Sequence, residues 1–293
     1  MKSFTIILPV YNDWDSLKIL LNKIEKSLKN SKNTFNIFLI NDCSTEINKY
    51  KFNKKKFKKI YILNLKKNIG SQKAIATGLK YINKNKKKFN SKFIIMDSDG
   101  EDDPKKIIEI IDLLSKNEDV KLITLNRTLR KESIFFSILY EMYLFLTFLI
   151  TFKYIRFGNF SYIDSTIMKK ISDKKDLWLA YSATINKFIK NKKIISAPRK
   201  KRIKGKSKMS YFNLFKHGLN IQSVYKKNVL ISYFFYSLIL IFLTVFGLSK
   251  FIAIILIIFF IFHLFLLVSS SREKIDGITF NQCLNNIKSF KIS

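Results

Sequence analysis

Cysteine is scarce in this chain of 293 residues, which contains only Cys43 and Cys283. The two lie far apart in the sequence, and neither belongs to a Cys-x-x-Cys pair. A disulfide framework or a zinc site is therefore not indicated. A secretory leader is not indicated either, because the N-terminal apolar stretch Phe4–Val10 is short and runs directly into Tyr11-Asn12-Asp13.

Acidic residues are also few, since 21 Asp and Glu stand against 54 Lys and Arg and give a net charge of +33. Many lysines lie in runs such as Lys54–Lys56 and Lys86–Lys88, which are typical of solvated faces. The stretch Lys187–Lys208 has basic residues and no acidic one, and it lies ahead of the apolar C-terminal region. Attraction of basic residues to anionic lipid is worth about 1 kcal/mol per charge. We therefore predict a membrane surface as partner, and no nucleic acid.

Two long apolar runs, Val229–Leu248 and Phe251–Val268, indicate a transmembrane hairpin. At about 1.5 Å per helical residue, each can cross or nearly cross a hydrocarbon core of roughly 30 Å. A pair of buried core helices is the alternative. The basic residues that flank the hairpin are Lys226, Lys227, Arg272 and Lys274, against the lone Lys250 at its turn. The positive-inside rule then predicts a multi-pass protein of the cytoplasmic (inner) membrane, with the rest of the chain in the cytoplasm.

Strands and helices alternate along the first 125 residues. The predicted strands are Phe4–Val10, Asn36–Ile40, Ile60–Leu65, Phe93–Met96 and Val120–Leu125, and the predicted helices are Trp14–Lys29, Ser71–Asn83 and Pro104–Ser115. This alternation predicts an α/β domain with a mostly parallel, Rossmann-like sheet and helices on both faces. Ligands of such sheets bind beyond the carboxyl ends of the strands, where the polar motifs of this sequence fall.

An acidic cluster follows the fourth predicted strand, in the segment Met96-Asp97-Ser98-Asp99-Gly100-Glu101-Asp102-Asp103-Pro104. Asp97 and Asp99 can converge on a divalent cation that carries a diphosphate, and Mg²⁺ or Mn²⁺ suits such an all-oxygen site. An acidic surface turn that leads into a helix is the alternative. An EF-hand loop is excluded, since counting from Asp97 it would need Gly at Asp102 and Glu at Ile108.

Four motifs in order carry a family resemblance: Ile7-Leu8-Pro9-Val10-Tyr11-Asn12-Asp13, Ile40-Asn41-Asp42-Cys43-Ser44-Thr45, Asn68-Ile69-Gly70-Ser71 and the acidic cluster. With Gly158-Asn159-Phe160 and the later Arg202-Ile203-Lys204-Gly205-Lys206-Ser207-Lys208, the sequence resembles glycosyltransferase family 2. More narrowly, it is similar to the polyisoprenyl-phosphate glycosyltransferases, the group of dolichyl-phosphate mannose synthases and the bacterial enzymes that act on undecaprenyl phosphate. The resemblance implies a GT-A fold and inverting transfer from a UDP- or GDP-linked sugar to a polyprenyl phosphate, with a possible homo-oligomer.

The resemblance also implies roles for individual residues. Asp97 and Asp99 are the predicted catalytic residues, and with Glu101 they form the predicted metal set. The predicted donor-binding residues are Pro9, Tyr11, Asp13, Asp42, Asn68, Gly70 and Asp97. The predicted acceptor-phosphate residues are Arg127, Arg130, Arg202, Ser207 and Lys208, since two anionic reactants need positive charge to hold them together. A solvated surface role is the alternative for each of these cations.

Five residues depart from the family pattern, among them Ser71, where Lys is frequent, and Glu101, where Gln is usual. Asn41 and Cys43 stand where Asp and Gly are common, and Ser161 stands where the group typically has Arg. Asn41, Cys43 and Ser161 motivate a second hypothesis, in which the protein is a divergent transferase-like component with altered or lost activity that serves binding or assembly.

The membrane-proximal segments complete the predicted organisation. The stretch Ile134–Ile155 is apolar but contains Glu141, which would be costly in a membrane span, so we predict interfacial helices there. A plain buried helix is the alternative. The predicted domains are a GT-A domain over 1–211 with interfacial helices at 134–155, a juxtamembrane amphipathic helix over 212–228, the hairpin over 229–268 and a cytoplasmic tail over 269–293.

Overall fold

The computed structural model describes residues 2–46, 56–89, 92–128, 134–205, 210–271 and 277–292. The chain divides into two units. One comprises residues 1–131, 156–207 and 275–293, and the other comprises 132–155 and 208–274.

The first unit is built on a mixed sheet with eight strands among the described residues. The strands are β1 (Ser3–Val10), β2 (Thr34–Asn41), β3 (Phe57–Leu65), β4 (Lys92–Ile95), β5 (Leu122–Thr128), β6 (Phe157–Asp164), β7 (Lys193–Pro198) and β8 (Ile287–Ile292). Their order in the sheet is β7-β5-β6-β4-β1-β2-β3-β8. Only β6 and β8 run against the others, so the predicted mostly parallel sheet is confirmed.

Helices cover the sheet because their apolar residues recur on one side. They are α1 (Trp14–Ser27), α2 (Ser71–Lys84), α3 (Lys106–Lys116), α5 (Ser165–Ile171) and α6 (Tyr181–Phe188), with short 3-10 turns at Lys86–Lys88, Lys175–Trp178 and Cys283–Asn286. In α1, Leu17, Leu20 and Ile24 are fully buried in the core. The carboxylate of Asp164 caps α5 by accepting a hydrogen bond from the Ile167 amide at 2.9 Å.

Three strands were not predicted from the sequence. Two of them, β6 and β7, lie beyond the regular alternation of the first 125 residues. The third, β8, lies where the sequence predicted only a cytoplasmic tail over 269–293. It pairs antiparallel with β3, and its Phe290 packs among Phe38, Tyr61 and Phe89. A six-residue strand that includes two lysines buries little apolar surface by itself. The strand β8 is therefore specified by its long-range pairing with β3 rather than by its own sequence pattern.

The second unit is helical in its described part. Its helices are α4 (Ile134–Thr151), α7 (Tyr211–Val224), α8 (Lys226–Val245) and α9 (Lys250–Ser271). Both α8 and α9 are long and apolar enough to cross a membrane, judged by length and composition. A turn joins them at Phe246–Ser249, where Gly247 has φ +98°, a conformation that glycine adopts without the steric cost of a side chain.

Polar side chains join the helices of this unit. The Tyr233 hydroxyl lies 2.7 Å from Nδ1 of His263, and Nε2 of that histidine lies 2.9 Å from Oε1 of Gln222. The Ser232 hydroxyl donates to the carbonyl of Ile150 at 2.8 Å. His263 thus links α9 to α7 and α8, which fits a packing role.

Candidate active site

Seven segments meet at one edge of the sheet. Strands β1 to β4 all point the same way, so their carboxyl ends share this edge. The segments at or just after these ends are Pro9 to Asp13, Asn41-Asp42, Lys66 to Gly70 and Asp97 to Asp99. Strand β7 ends there at Pro198, and the antiparallel strands β6 and β8 begin there. The sheet topology therefore collects nearly all of the polar motifs in one region.

A chain of amide side chains orients the carboxylate of Asp97. Oδ1 of Asp97 accepts a hydrogen bond of 2.8 Å from the Asn159 amide. Oδ1 of Asn159 in turn accepts from Gln72 at 3.0 Å, and the Tyr181 backbone donates to Gln72 at 2.9 Å. The backbone N–H of Asp97 donates to Asp102 at 3.0 Å, which holds the turn itself. Asp97 is thus fixed from two sides.

The second carboxylate, that of Asp99, lies in an environment that resists its ionisation. Burial raises the pKa of Asp99 to about 6, and the negative charge of Asp97 adds to the rise. Two mutually repelling carboxylates favour a divalent cation, and Mg²⁺ or Mn²⁺ is commonly held by one or two carboxylates together with substrate phosphates. Among the described residues, no group of three or more acidic, histidine or cysteine side chains forms a metal site. Asp97 and Asp99 fit a site in which two carboxylates and the substrate phosphates hold the cation.

A basic segment, residues 199–204 after β7, lies along the acidic turn. Arg202 forms ion pairs with Asp99 at 3.2 Å and with Asp13, and Lys200 pairs with Asp103 at 2.8 Å. The backbone of Ile203 donates to the Asp99 carbonyl at 3.0 Å. The approach is close at Gly100, where an added Cβ would lie 2.2 Å from Cδ1 of Ile203.

Glu101, the third residue of the predicted metal set, has an arginine partner in the structure. Its carboxylate pairs with Arg199 and is only 7% exposed. No group of three acidic, histidine or cysteine side chains that could hold a metal ion is found among the described residues, so the metal proposal below rests on Asp97 and Asp99 alone, and the predicted metal role of Glu101 stays a prediction. The ion pair with Arg199 arises from the basic segment, which the sequence did not place beside the acidic turn.

The predicted donor-binding residues divide into supporting and exposed ones. Pro9 is buried within β1, whereas Tyr11 is 37% exposed. Asp42 is buried, and its two oxygens accept hydrogen bonds from the backbone of Ile69 at 2.9 Å and of Gly70 at 2.8 Å. Asp42 therefore holds the loop after β3 rather than standing open to solvent.

Comparison with known proteins agrees with this architecture. The family model described as "Glycosyl transferase family 2" matches residues 5–164, which is more than half of the chain. The chain belongs to glycosyltransferase family 2. An uncharacterized glycosyltransferase of Synechocystis is 29% identical over 126 residues, which cover 41% of this chain and 36% of that protein. The chain therefore spans well under two thirds of that relative.

Comparison with solved structures identifies the fold. Glucosyl-3-phosphoglycerate synthase of Mycobacterium tuberculosis, solved with Mn²⁺, UDP-glucose and phosphoglyceric acid, superposes with a TM-score of 0.50 at 8% identity, covering 78% of this chain and 80% of that one. The predicted GT-A fold is confirmed.

Part of the predicted acceptor site lies outside the described residues. Arg130, Ser207 and Lys208 fall there, and Arg127 is described only as backbone near the end of β5. Arg202 is described, and its partners are carboxylates of the predicted donor and metal region. Its predicted contact with the acceptor stays a prediction.

Other residues of the site were missed or given no role. Asn12 accepts hydrogen bonds from the backbone of Thr45 and Glu46, at 2.8 and 3.1 Å, and so ties the β1 end to the β2 end. Gln72 and Asn159 support Asp97 as described above. These three amide residues lie within or beside the family motifs, which is the feature of the sequence that could have identified them. What each amide does depends on its hydrogen-bond partners, and only the folded structure defines those partners.

The family departures have local partners in this family 2 domain. Asn41 donates to Oδ1 of Asn64 at 2.9 Å. Cys43 has φ +56°, in the region that favours the usual glycine, and its thiol donates to the Lys66 carbonyl at 3.1 Å. Ser161 is buried in β6, 2.7 Å from the Tyr181 hydroxyl.

Asp42→Asn is expected to change how stability depends on pH. Burial raises the pKa of Asp42 from 3.8 to about 6, so its stabilising contribution is full below about pH 3.8 and is lost as pH rises through about 6. The unfolding free energy of the wild type minus that of the variant should therefore fall by up to about 3 kcal/mol between pH 3.5 and pH 7. Denaturant unfolding in detergent at several pH values measures this. A difference that stays constant with pH would contradict the assignment.

Proposed function

We propose that this protein is a membrane-bound inverting glycosyltransferase that moves a sugar from a nucleotide donor to a polyprenyl phosphate on the cytoplasmic leaflet. The observation that carries the proposal is the Asp97–Asp99 pair at the carboxyl edge of a family 2 sheet, with Arg202 against Asp99. The neighbour described above was solved with UDP-glucose and Mn²⁺, which supports a nucleotide-sugar donor and a divalent cation here.

The donor end of the reaction needs charge compensation. Negative charge builds on the diphosphate as the sugar leaves, and Mg²⁺ or Mn²⁺ held by Asp97 and Asp99 would neutralise that charge. Asn159 fixes the rotamer of Asp97 through its 2.8 Å hydrogen bond. Arg202 compensates the Asp99 charge within the protein itself, so this carboxylate has a cationic partner besides a metal.

The acceptor end needs positive charge rather than a general base. A lipid phosphate is already ionised near neutral pH, so its oxygen can attack without losing a proton. Arg202 presents a planar guanidinium that suits phosphate oxygens. It lies beside the turn that contains Asp97 and Asp99, the two proposed metal ligands. With Arg127, Arg130, Ser207 and Lys208 it makes up the proposed acceptor group.

Membrane attachment through α8 and α9 supports a lipid acceptor. Large apolar side chains of both helices, such as Phe234, Phe242 and Phe259, are exposed, which disfavours the alternative of buried core helices. Strand β8 follows α9 in the chain and pairs with β3. Because one sheet lies on one side of a bilayer, the chain between β7 and β8 must cross an even number of times. This supports a hairpin that returns to the cytoplasm.

Reporter fusions test this topology. Fusions at Met1 and at Ser293 are expected to report the cytoplasmic side, because the basic residues that flank the hairpin lie at its open end. A tag inserted between Ser249 and Lys250 is expected to report the opposite side, and a tag at Gly205 serves as a control on the cytoplasmic side. A C-terminal reporter on the periplasmic side would contradict the hairpin.

The proposed activity is tested by supplying both substrates. Membranes that contain the protein are incubated with a panel of radiolabelled UDP- and GDP-sugars, Mg²⁺ or Mn²⁺ and polyprenyl phosphate, followed by extraction of lipids. Label in the lipid fraction with one donor is the expected result, and membranes without the protein are the control. Absence of transfer with every donor would instead favour the binding or assembly role that Asn41, Cys43 and Ser161 suggest.

A further inference from the structure

The segment after the two apolar helices returns to the edge of the sheet where the site residues gather. Strand β8 runs antiparallel to β3 with Ile287 opposite Leu65, so β8 begins where β3 ends. The 3-10 turn Cys283–Asn286 therefore lies beside the loop after β3, residues 66–70. This loop contains Asn68 and Gly70, two of the predicted donor-binding residues.

Asn286 holds the first half of that loop with three hydrogen bonds. Its carbonyl accepts from the Lys66 backbone at 2.7 Å. Its side chain accepts from the Lys67 backbone N–H and donates to the Lys67 carbonyl, each at 3.1 Å. Asn286 is only 3% exposed, so its amide group is largely shielded from water, which strengthens both side-chain bonds.

Asp42 holds the second half of the same loop through the backbone N–H groups of Ile69 and Gly70. The thiol of Cys43 donates to the Lys66 carbonyl as well. The loop is thus held between the β2 end and the C-terminal segment. Its backbone path depends on two parts of the chain that are more than 200 residues apart.

Strand β8 also contacts the end of β2 indirectly, through the side chain of Asn64. Ser289 accepts a hydrogen bond of 3.0 Å from Nδ2 of Asn64, which fixes the amide of Asn64 so that its Oδ1 accepts from Asn41 at 2.9 Å. Asn41 also accepts from the Ser44 backbone at 3.0 Å. The C-terminal strand therefore supports both polar motifs at this end of the site.

We infer that Asn286 is a positioning residue for nucleoside diphosphate binding, and that the C-terminal strand is part of the donor site. The inference rests on the proposed function, in which the protein binds a nucleotide donor, and on the donor-binding role that the family resemblance implies for Asn68 and Gly70 of this loop. Loss of the Asn286 side chain removes its two hydrogen bonds to the Lys67 backbone. Fewer contacts then fix the path of the loop before the donor arrives, so ordering the loop on binding lowers donor affinity.

Binding of UDP and of GDP, each with Mn²⁺, to the purified full-length chain in detergent tests the inference by calorimetry. Asn286→Ala is expected to weaken the binding of whichever nucleotide the wild type binds by about ten-fold. Asn285→Ala is the matched control, because Asn285 is exposed and contributes its backbone carbonyl to Lys66. That variant is expected to bind as the wild type does. In the transfer assay, Asn286→Ala should raise the donor KM and leave the acceptor KM unchanged.

The outcomes separate the inference from the proposed function. If the wild type binds neither nucleotide, the proposed function fails and the inference falls with it. If the wild type binds and Asn286→Ala binds within two-fold of it, the inference alone is overturned. Should Asn286→Ala not fold by circular dichroism, Asn286→Asp keeps the side-chain shape and the acceptor oxygen but removes the donor to the Lys67 carbonyl, and an unchanged affinity in that variant overturns the inference as well. Equal rises in donor KM and acceptor KM would show a general structural role and also overturn it.

Discussion

Asp99→Asn is expected to reduce sugar transfer by at least about 10²- to 10³-fold, the range seen when one group that stabilises transition-state charge is removed. The substitution preserves the shape of the side chain and removes its charge, so the proposed divalent cation loses one of two ligands. Burial and the charge of Asp97 raise the pKa of Asp99 to about 6, and a carboxyl group perturbed in this way is typical of functional sites. Initial rates at saturating donor and metal measure the effect.

Asp103→Asn is the matched control for this change. It removes the same charge from the same turn, but Asp103 pairs with Lys200 rather than with Arg202. We expect it to retain most of the activity. Both variants should keep the circular dichroism and detergent elution of the wild type. Turnover of the wild type in excess chelator would contradict the metal proposal.

Arg202→Ala is expected to lower the acceptor-dependent rate by roughly ten- to a hundred-fold, since one charge-assisted contact to a phosphate is worth about 1.5 to 3 kcal/mol. The guanidinium now bridges Asp99 and Asp13, which places it beside the proposed metal and donor residues. If it serves the acceptor, nucleotide affinity should change much less than the acceptor KM. Steady-state kinetics with each substrate varied in turn gives both values.

Arg199→Ala provides the comparison for Arg202. It removes an arginine three positions away whose partner is Glu101, which is outside the proposed metal set. Its effect on the acceptor KM should be small. If Arg202→Ala weakens nucleotide binding and leaves the acceptor KM alone, Arg202 grips the donor diphosphate, and the acceptor site is then to be sought at Arg127 and Arg130.

The strands of the parallel sheet could be predicted because each is a short apolar segment between polar motifs. Phe4–Val10 and Phe93–Met96 correspond to β1 and β4 within a residue or two. The position of Asp97 and Asp99 at the edge of the sheet could be predicted because they directly follow an apolar strand. The amides Asn12 and Asn159 could not be predicted in this way, since an amide can donate or accept and is defined by its partners.

The C-terminal strand β8 could not be predicted from the sequence either, because it too depends on its partners in the fold. Ile287–Ile292 has no regular apolar alternation, and it becomes a strand because β3 offers an unpaired edge and Phe290 enters an aromatic cluster. Glu101 is a further case, because only the position of Arg199 decides that this carboxylate forms an ion pair.

The sequence by itself determined the parallel α/β domain, the family and the two apolar helices, because periodicity, motif order and hydropathy are local properties of the chain. The tertiary structure alone decided which side chains meet: Arg202 with Asp99, Asn159 with Asp97, and Asn286 with the loop at residues 66–70. Each of these pairs joins residues 62 or more positions apart. The energy of such contacts arises from burial and hydrogen-bond geometry, which exist only once the chain has folded.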